Sequence, residues 1–398
     1  MREKGPSMAK RGRLNMVLVT VLAGALALAA CSSCGTKRFP AETEKKLNKL
    51  LAMMMEQNGI PGAVAGAWVP GEGTWTTAAG KADTKTGSSE AEDLRFRAGS
   101  ITKTFVATVI LQLVDEQKLG LDDTLDEYID GFQYGDRITI RQLLNHTSGV
   151  YGYDDSPGFT EETVQHPERR WTTGEMLDLA RSGQPYFAPG EHWRYCNTNY
   201  LLLGLIVEEV TGGDIAEEVR LRIVERLGLA ATFFPDSASM GGPHSHGYVA
   251  WDGRFGMPDT DTPSDVTNMN PSWAWAAGAI VSDLDDLHRW AKALATGELI
   301  SPEMHKEQLR WVNIPGAEAI GGKYGLGVYS MGGMVGHDGM LWGYNCGMYY
   351  YPEKDATIVV LFNRGMDQRD GEWVSPDIPF TMAASAVLFP GRMPWDQE

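Results

Sequence analysis

A serine and a lysine three residues apart stand directly before a long apolar run, and no other stretch constrains the chain as strongly. Ser100 and Lys103 precede residues 105–114, in which apolar residues recur at helical spacing. This pattern predicts a buried helix that begins near Ser100 and carries both side chains on one face, about one turn apart. A serine hydroxyl needs an adjacent base to act as a nucleophile, and a lysine whose charge is disfavoured by burial can serve. Ser-x-x-Lys alone is not specific for this chemistry, and Ser7 and Lys10 have the same spacing.

The charge of the chain argues against one class of partner. The 398 residues carry a formal net charge of −17, which disfavours binding to nucleic acid. The length suits one large domain or two closely packed ones.

The N-terminus has the organisation of an export signal. Basic residues are followed by a mostly apolar run at 14–30, which ends in small residues directly before Cys31. This junction resembles the lipobox of bacterial lipoproteins. We therefore predict a signal peptide at residues 1–30, lipidation of Cys31 and a tether at residues 31–41, which would anchor an exported protein to a membrane on the cell surface or in the periplasm. An uncleaved membrane anchor is the alternative, although the run is short for a membrane span.

The remaining cysteines form an odd set, which does not suit a disulfide framework. Cys34 lies in the predicted tether. Cys196 and Cys346 are expected to be buried as small apolar residues, and a disulfide between them stays open.

Hydrophobic periodicity predicts helices that pack on an antiparallel sheet. Besides the helix near Ser100, the predicted helices cover residues 42–57, 139–145, 173–182, 199–210, 214–227, 283–295, 302–311 and 380–389. The predicted strands cover residues 63–69, 74–79, 273–281, 324–330, 331–337, 342–351 and 356–362. Ser282 is the expected cap of the helix at 283–295. Residues 234–271 are rich in Gly, Pro, Asp and Ser and are expected to have little regular structure.

The order of these elements predicts the fold class. Strands come from both ends of the chain, and helices fill its middle. We therefore predict an α/β fold of the α+β type, in which helices flank an antiparallel sheet and a mainly helical domain is inserted. The sheet-and-helix domain would comprise residues 42–99 and 273–398, and the helical domain residues 100–272.

Two further short patterns could contribute to a site. Tyr195-x-Asn197 supplies a phenol that can move protons beside a lysine, and an amide that can bind a substrate carbonyl or amide. Alternatively, Tyr195 belongs to the core and Asn197 caps the next helix. In His337-x-Gly339, the glycine would let a substrate backbone approach a strand edge closely. The alternative is that His337 is exposed near a turn.

Taken together in this order, the three patterns resemble those of the serine β-lactamase and DD-peptidase superfamily. The resemblance is to the branch that holds class C β-lactamases and D-alanyl-D-alanine carboxypeptidases, and the His-x-Gly form is most similar to secreted DD-carboxypeptidases. It covers roughly residues 45–365. The sequence outside the three patterns is also similar at residues 137–149, 188–200, 277–286 and 324–327.

This resemblance implies a serine hydrolase that passes through an acyl-enzyme and needs no metal or cofactor. Ser100 would be the acylated nucleophile. Lys103 and Tyr195 would share the proton transfers, and which of them is the base in acylation stays open. The substrate would be a small peptide, amide, ester or β-lactam.

The same resemblance implies roles for the residues that bind the substrate. Asn197 would bind the amide on the acyl side, and His337, ahead of Gly339, would hold Tyr195 and the far end of the substrate. The backbone N–H groups of Ser100 and Met340 would form the oxyanion hole. The remaining implied contact is the wall of the cleft, to which Trp273 would contribute.

Departures from the resemblance concern substrate choice. Asp338 and Met340 stand where the secreted carboxypeptidases carry threonines, and Val328 and Tyr329 stand where those enzymes place an arginine for the terminal carboxylate of the substrate. A missing cation and an added carboxylate disfavour an anionic group, unless Asp338 faces away by strand alternation. We therefore expect neutral esters and amides to compete well with peptides that end in free D-alanine. The activities of a β-lactamase, an esterase or a D-aminopeptidase, or a penicillin-binding sensor without turnover, are the alternatives.

Overall fold

The computed structural model describes Met1 and residues 37–260, 262–366, 368–369 and 372–391. The signal peptide predicted at residues 1–30, the lipidation of Cys31 and most of the tether at 31–41 lie outside the described residues and stay predictions. Among the helices that are described, none has both the length and the apolar character that crossing a membrane requires.

Nine strands of the described chain form one antiparallel sheet that draws on both ends of the sequence. From one edge to the other, the sheet runs β3 (Ser88–Ser89), β2 (Gly73–Asp83), β1 (Gly62–Val69), β13 (Ala356–Phe362), β12 (Tyr344–Tyr351), β11 (Met334–Leu341), β10 (Tyr329–Met331), β9 (Lys323–Tyr324) and β8 (Val312–Asn313). Shorter pairs join β4 (Phe96–Arg97) to β7 (Val281–Ser282), β5 (Tyr248–Val249) to β6 (Ser264–Asp265), and β14 (Gln368–Arg369) to β15 (Glu372–Trp373).

The helices lie between and around these strands. They are α1 (Ala41–Asn58), α2 (Thr102–Asp115), α3 (Ile140–Leu144), α4 (Phe159–Gln165), α5 (Thr173–Ser182), α6 (Asn197–Thr211), α7 (Ile215–Val219), α8 (Glu225–Leu227), α9 (Trp275–Gly278), α10 (Leu284–Thr296), α11 (Pro302–Gln308) and α12 (Asp377–Leu388). Helices α1 and α12 contribute to the core on one face of the sheet, and α2, α6 and α10 contribute to the core on the other face. The predicted fold class, an antiparallel sheet flanked by helices, is confirmed, whereas the division into two domains stays a prediction.

The strand predicted at residues 273–281 is wrong. A single turn of 3₁₀ helix at Pro271–Trp273 is followed by α9, and only Val281 and Ser282 are extended. The stretch contains four alanines, which favour helix. Trp275 also adopts a positive φ of 33°, which interrupts the alternation of a strand.

Two other boundaries differ from the prediction for local reasons. Asp283, rather than Ser282, caps α10, because its carboxylate accepts the backbone N–H of Asp286. The turn before β11 lies at Gly332 and Gly333, both of which have positive φ. The strand predicted at 331–337 therefore begins later and continues to Leu341, which places the His337 motif inside a strand.

A buried carboxylate on α10 binds the segment that follows α8. Asp286 is 3% exposed, and its Oδ2 accepts the backbone N–H groups of Ala231 and Thr232 at 2.7 and 2.8 Å. The Thr232 hydroxyl donates to the same oxygen, and the backbone N–H of Ala230 donates to Oδ1. This one side chain therefore satisfies four donors.

We predict that Asp286→Asn lowers the free energy of unfolding by about 2–3 kcal/mol. The reason is that the amide nitrogen of asparagine cannot accept the hydrogen bonds that the replaced carboxylate oxygen accepts. Urea unfolding measures the change. Asp285→Asn is the matched control: its side chain is 65% exposed and paired with Arg289, so the expected loss is below about 1 kcal/mol. Equal losses in the two variants would contradict the role given to Asp286.

Candidate active site

Ser100 lies in a 3₁₀ turn, Gly99–Ile101, directly before α2. The helix therefore begins two residues after the serine, close to the predicted position. Gly99 has a φ of 55°, and a Cβ on it would lie 2.6 Å from the backbone nitrogen of Met340. A Cβ on Gly339 would lie 1.9 Å from the carbonyl oxygen of Ala98. Both positions require glycine, because β11 lies directly against the turn that carries Ser100.

Lys103 points its amine at the serine. Its Nζ lies 3.0 Å from Ser100 Oγ, 2.9 Å from Asn197 Oδ1 and 2.7 Å from the carbonyl oxygen of Ala277 in α9. The residue has no exposed surface, and this burial lowers the pKa of the amine to about 7, although the Asp154 carboxylate partly opposes the shift. The amine is therefore suited to accept a proton near neutral pH.

Tyr195 brings its phenol to the same place. The residue is 36% exposed, but its phenol lies close enough to Ser100 for the serine hydroxyl to lower the phenol pKa against the effect of burial. Burial of the hydroxyl raises the pKa of Tyr195 well above its ordinary value, so the phenol stays protonated at neutral pH. Lys103 Nζ lies 4.7 Å from the centre of the tyrosine ring. The structure thus brings together the side chains of Ser100, Lys103 and Tyr195, which the sequence analysis placed in one site.

Asn197 is the first residue of α6, and its side chain joins the site instead of capping the helix. Its Oδ1 accepts from Lys103, and its Nδ2 donates to Asp154 at 2.7 Å. Burial raises the pKa of the Asp154 carboxyl. The sequence reasoning missed Asp154. The available signal was its position in the loop after residues 137–149, beside a second carboxylate at Asp155.

His337 is 1% exposed and lies inside β11, not near a turn. Its Nδ1 donates to the carbonyl oxygen of Asp338 at 2.5 Å, and its Nε2 accepts from the hydroxyl of Tyr324 at 2.8 Å. Burial lowers the pKa of the imidazole, so we assign the neutral ring. Both nitrogens are engaged, and the contact with Tyr195 is between rings, with centres 6.3 Å apart. The direct hold on Tyr195 that the resemblance implied is therefore replaced by the bond to Tyr324, which the sequence reasoning missed.

The strand that carries this motif has an open edge. In the described chain, β10 pairs with β11 only from Met334 to Gly336, so the segment from His337 to Leu341 has no strand partner on that side. An extended ligand could pair there. Alternation places His337 and Gly339 on one face and Asp338 on the other.

Two cavities flank the Asp154–Asn197 pair. One, of about 330 Å³, also borders Tyr186, Arg194 and Tyr195. The other, of about 340 Å³, has a mostly apolar wall, which we call the Trp pocket and define as Phe159, Trp273, Met340, Trp342 and Met366. Trp273 therefore lines the cleft, where the resemblance placed it, and Met340, implied as an oxyanion-hole donor through its backbone, lines it too.

Neither of the two described cysteines forms a disulfide. Cys196 and Cys346 are both buried and unpaired, as expected for small apolar residues.

Among the described residues, no group of three or more His, Cys, Asp or Glu side chains could hold a metal ion. The arrangement of hydroxyl, amine and phenol is suited to acyl transfer through a serine ester.

Curated relatives share part of this chain. Penicillin-binding protein 4* of Bacillus subtilis is 28% identical over 282 residues, which cover 68% of this chain and 61% of that protein. The D-aminopeptidase of Brucella anthropi is 28% identical over 318 residues, covering 76% of this chain and 56% of the relative. The chain thus matches about three fifths of the length of these relatives.

Solved structures match over nearly all of their length. A D-stereospecific amidohydrolase from Streptomyces sp. superposes with a TM-score of 0.74 at 32% identity, covering 88% of this chain and 99% of the other. The D-amino acid amidase of Ochrobactrum anthropi SV3, solved with D-phenylalanine, gives a TM-score of 0.74 at 25% identity, covering 87% and 98%.

The family comparison agrees with the site. The profile of the family described as Beta-lactamase matches residues 47–373, a stretch that contains Ser100, Lys103, Tyr195 and His337. Members of this fold family are serine hydrolases, which accords with a buried amine held against a serine hydroxyl. By sequence, fold and site, the chain belongs to the beta-lactamase family.

Proposed function

We propose that this protein is a serine amidohydrolase that forms an acyl-enzyme at Ser100 and acts on D-amino acid amides or on peptides that begin with a D residue. The observation that carries the reaction type is the 3.0 Å contact between Lys103 Nζ and Ser100 Oγ. The observation that favours this substrate class is the carboxylate of Asp154 at the acyl side of the cleft.

The geometry supports a neutral lysine as the base in acylation. A neutral amine has two hydrogens and one lone pair. Asn197 Oδ1 and the Ala277 carbonyl accept the two hydrogens, which leaves the lone pair facing the Ser100 hydroxyl. Lys103 takes the hydroxyl proton as Oγ attacks the substrate carbonyl carbon.

Tyr195 is suited to complete the reaction. Its protonated phenol can donate to the leaving nitrogen as the C–N bond breaks, and Lys103 can return a proton to the phenoxide. Water then attacks the ester carbonyl and gives a proton to the neutral Lys103, which passes it to Ser100 Oγ as the Oγ–C bond breaks and the acid product leaves. The backbone N–H groups of Ser100 and Met340 are proposed to stabilise the oxyanion.

Charges in the cleft favour a substrate with a free amino group. Asp155 is neutralised by Arg194 at 3.0 Å, whereas Asp154 accepts a hydrogen bond from the neutral amide of Asn197 and forms no salt bridge within the described part of the chain. An α-ammonium group beside the acylated carbonyl would lie near Asn197 and would lower the free energy of the Asp154 carboxylate. The Trp pocket offers an apolar cavity to the amino acid side chain. The names of the amidase and aminopeptidase relatives are consistent with such a substrate.

The leaving-group side gives no support for a terminal carboxylate. Val328 is fully buried and Tyr329 is 8% exposed, so neither offers a cation where the secreted carboxypeptidases place arginine. We therefore propose amides and esters over free-acid D-alanyl peptides. We also propose that the protein is exported as a lipoprotein. The support for this is the stretch of basic and then apolar residues that stands directly before Cys31.

We predict that Ser100→Ala abolishes both labelling by a fluorescent penicillin and hydrolysis of D-phenylalanine amide, with a loss of ~10⁴-fold or more in rate. The purified mature protein and the variant are compared side by side. Persistent labelling of the parent without hydrolysis of amide, ester or D-alanyl peptide would contradict the proposed enzyme and favour a penicillin-binding sensor.

We predict that kcat/KM for a neutral ester falls as the pH drops below about 7, because protonation of Lys103 removes the base. The lowered pKa means that the neutral amine predominates above this value, so the rate should reach a plateau there. Asp154→Asn should move the acidic limb to lower pH, since the Asp154 charge raises the pKa of Lys103. A pH profile without an acidic limb would overturn the assignment of the base.

We predict that the parent prefers D-phenylalanine amide to its N-acetyl derivative by ~30-fold or more in kcat/KM, and that Asp154→Asn abolishes this preference. The two substrates are compared at about pH 7.5, where much of Lys103 is neutral and most of the substrate α-amino group, with an ordinary pKa of about 7.7–8.0, is still charged. Asp155→Asn is the matched control and should keep most of the preference, because Arg194 already neutralises Asp155. Equal losses on both substrates in Asp154→Asn would argue against recognition of the ammonium group.

A further inference from the structure

One buried histidine anchors the backbone on both sides of Tyr195. The carbonyl oxygen of His146 accepts the backbone N–H of Arg194 at 3.0 Å. Its Nδ1 accepts the backbone N–H of Cys196 at 3.2 Å. The backbone N–H groups of the two residues on either side of Tyr195 are therefore both bonded to a single residue, which lies 49 positions before Tyr195 in the chain.

The backbone of His146 is shaped for this double contact. The residue follows α3 and has a φ of 64°, in the left-handed region that most side chains avoid. This conformation directs the carbonyl and the ring to the same neighbouring segment. Asn199 adds a third tie, since its Nδ2 lies 2.9 Å from the same Nδ1.

The ring supplies a flat face as well as an acceptor. His146 has no exposed surface, and its ring centre lies 4.3 Å from that of Tyr195. Nδ1 accepts two N–H groups and therefore carries no hydrogen. Burial lowers the pKa of the imidazole well below its ordinary value, which keeps it neutral. Nε2 has no hydrogen-bond partner among the described residues, so the ring acts through Nδ1 and its face.

We propose that His146 is a positioning residue for the proposed reaction: it fixes the segment 194–196 so that the phenol of Tyr195 stays on the Ser100 hydroxyl. Tyr195 needs such support because its own side chain is 36% exposed. A shift of about 1 Å in a proton donor can cost ~100-fold in rate. This inference rests on the proposed function for its kinetic consequence, and on the contacts alone for its structural one.

Two substitutions at His146 distinguish the effect of its Nδ1 acceptor from the effect of its left-handed backbone conformation. Asparagine and glycine both tolerate a left-handed backbone, but only asparagine can present an oxygen near the position of Nδ1. We expect His146→Gly to lower kcat for D-phenylalanine amide by ~100-fold with little change in KM, and His146→Asn to stay within ~10-fold of the parent.

A double-mutant cycle with Tyr195→Phe distinguishes positioning from a general loss of stability. If His146 acts through the phenol, His146→Gly should cost less than ~3-fold further in the Tyr195→Phe background. A full additional ~100-fold loss there, or an unchanged kcat in His146→Gly despite a lowered melting temperature, would overturn the proposal.

Hydrogen exchange tests the contacts without any turnover. The amide hydrogens of Arg194 and Cys196 should exchange at least ~10-fold faster in His146→Gly and near the parent rate in His146→Asn. Unchanged exchange in His146→Gly would overturn the anchoring. Faster exchange in a protein that hydrolyses none of the substrates would support the anchoring and contradict the proposed function, so the two failures are distinguishable.

Discussion

The removal of one amine from water is the interaction on which the rest of the site depends. Burying a lysine amine costs free energy unless its hydrogens are bonded to acceptors or its charge is lost. Lys103 has the acceptors, and its lowered pKa lets it lose the charge. The acceptors come from α6 and α9, far apart in the chain. Because burial lowers the pKa of the amine to about 7, the packing that stabilises the fold also prepares a base. Stability and reactivity are thus set by the same contacts.

Around this amine, the scaffold holds the reacting groups by close backbone contacts. Gly99 and Gly339 let β11 lie directly against the turn that carries Ser100. His146 binds the backbone next to Tyr195, and the hydroxyl of Tyr324 donates a hydrogen bond to the imidazole of His337. The hydroxyl, amine and phenol are therefore positioned mainly by backbone placement, with little dependence on flexible side chains. This is the preorganisation that acyl transfer needs.

Much of the site and of the fold class could be predicted from short patterns, but contacts between distant segments could not. The Ser-x-x-Lys spacing and the helical periodicity after it are local information, and they located the contact between Ser100 and Lys103. Asp154 and His146 acquire their roles only when loops far apart in sequence meet, and no period or spacing marks them. Residues 273–281 were predicted to form a strand, but their four alanines favour a helix, and that helix supplies the carbonyl of Ala277 to the amine.

The order of strands in the sheet has a consequence for biosynthesis. Ala63 in β1 pairs with Phe362 in β13, so β1 gains this partner only after all the strands and helices between them have been synthesised. Pairings of such long range close slowly. The turn that carries Ser100 likewise waits for β11 to be synthesised before the two can pack together. A ribosome-bound fragment that ends before β11 therefore holds Ser100 without this support, and the proposed site can form only after β11 has been synthesised.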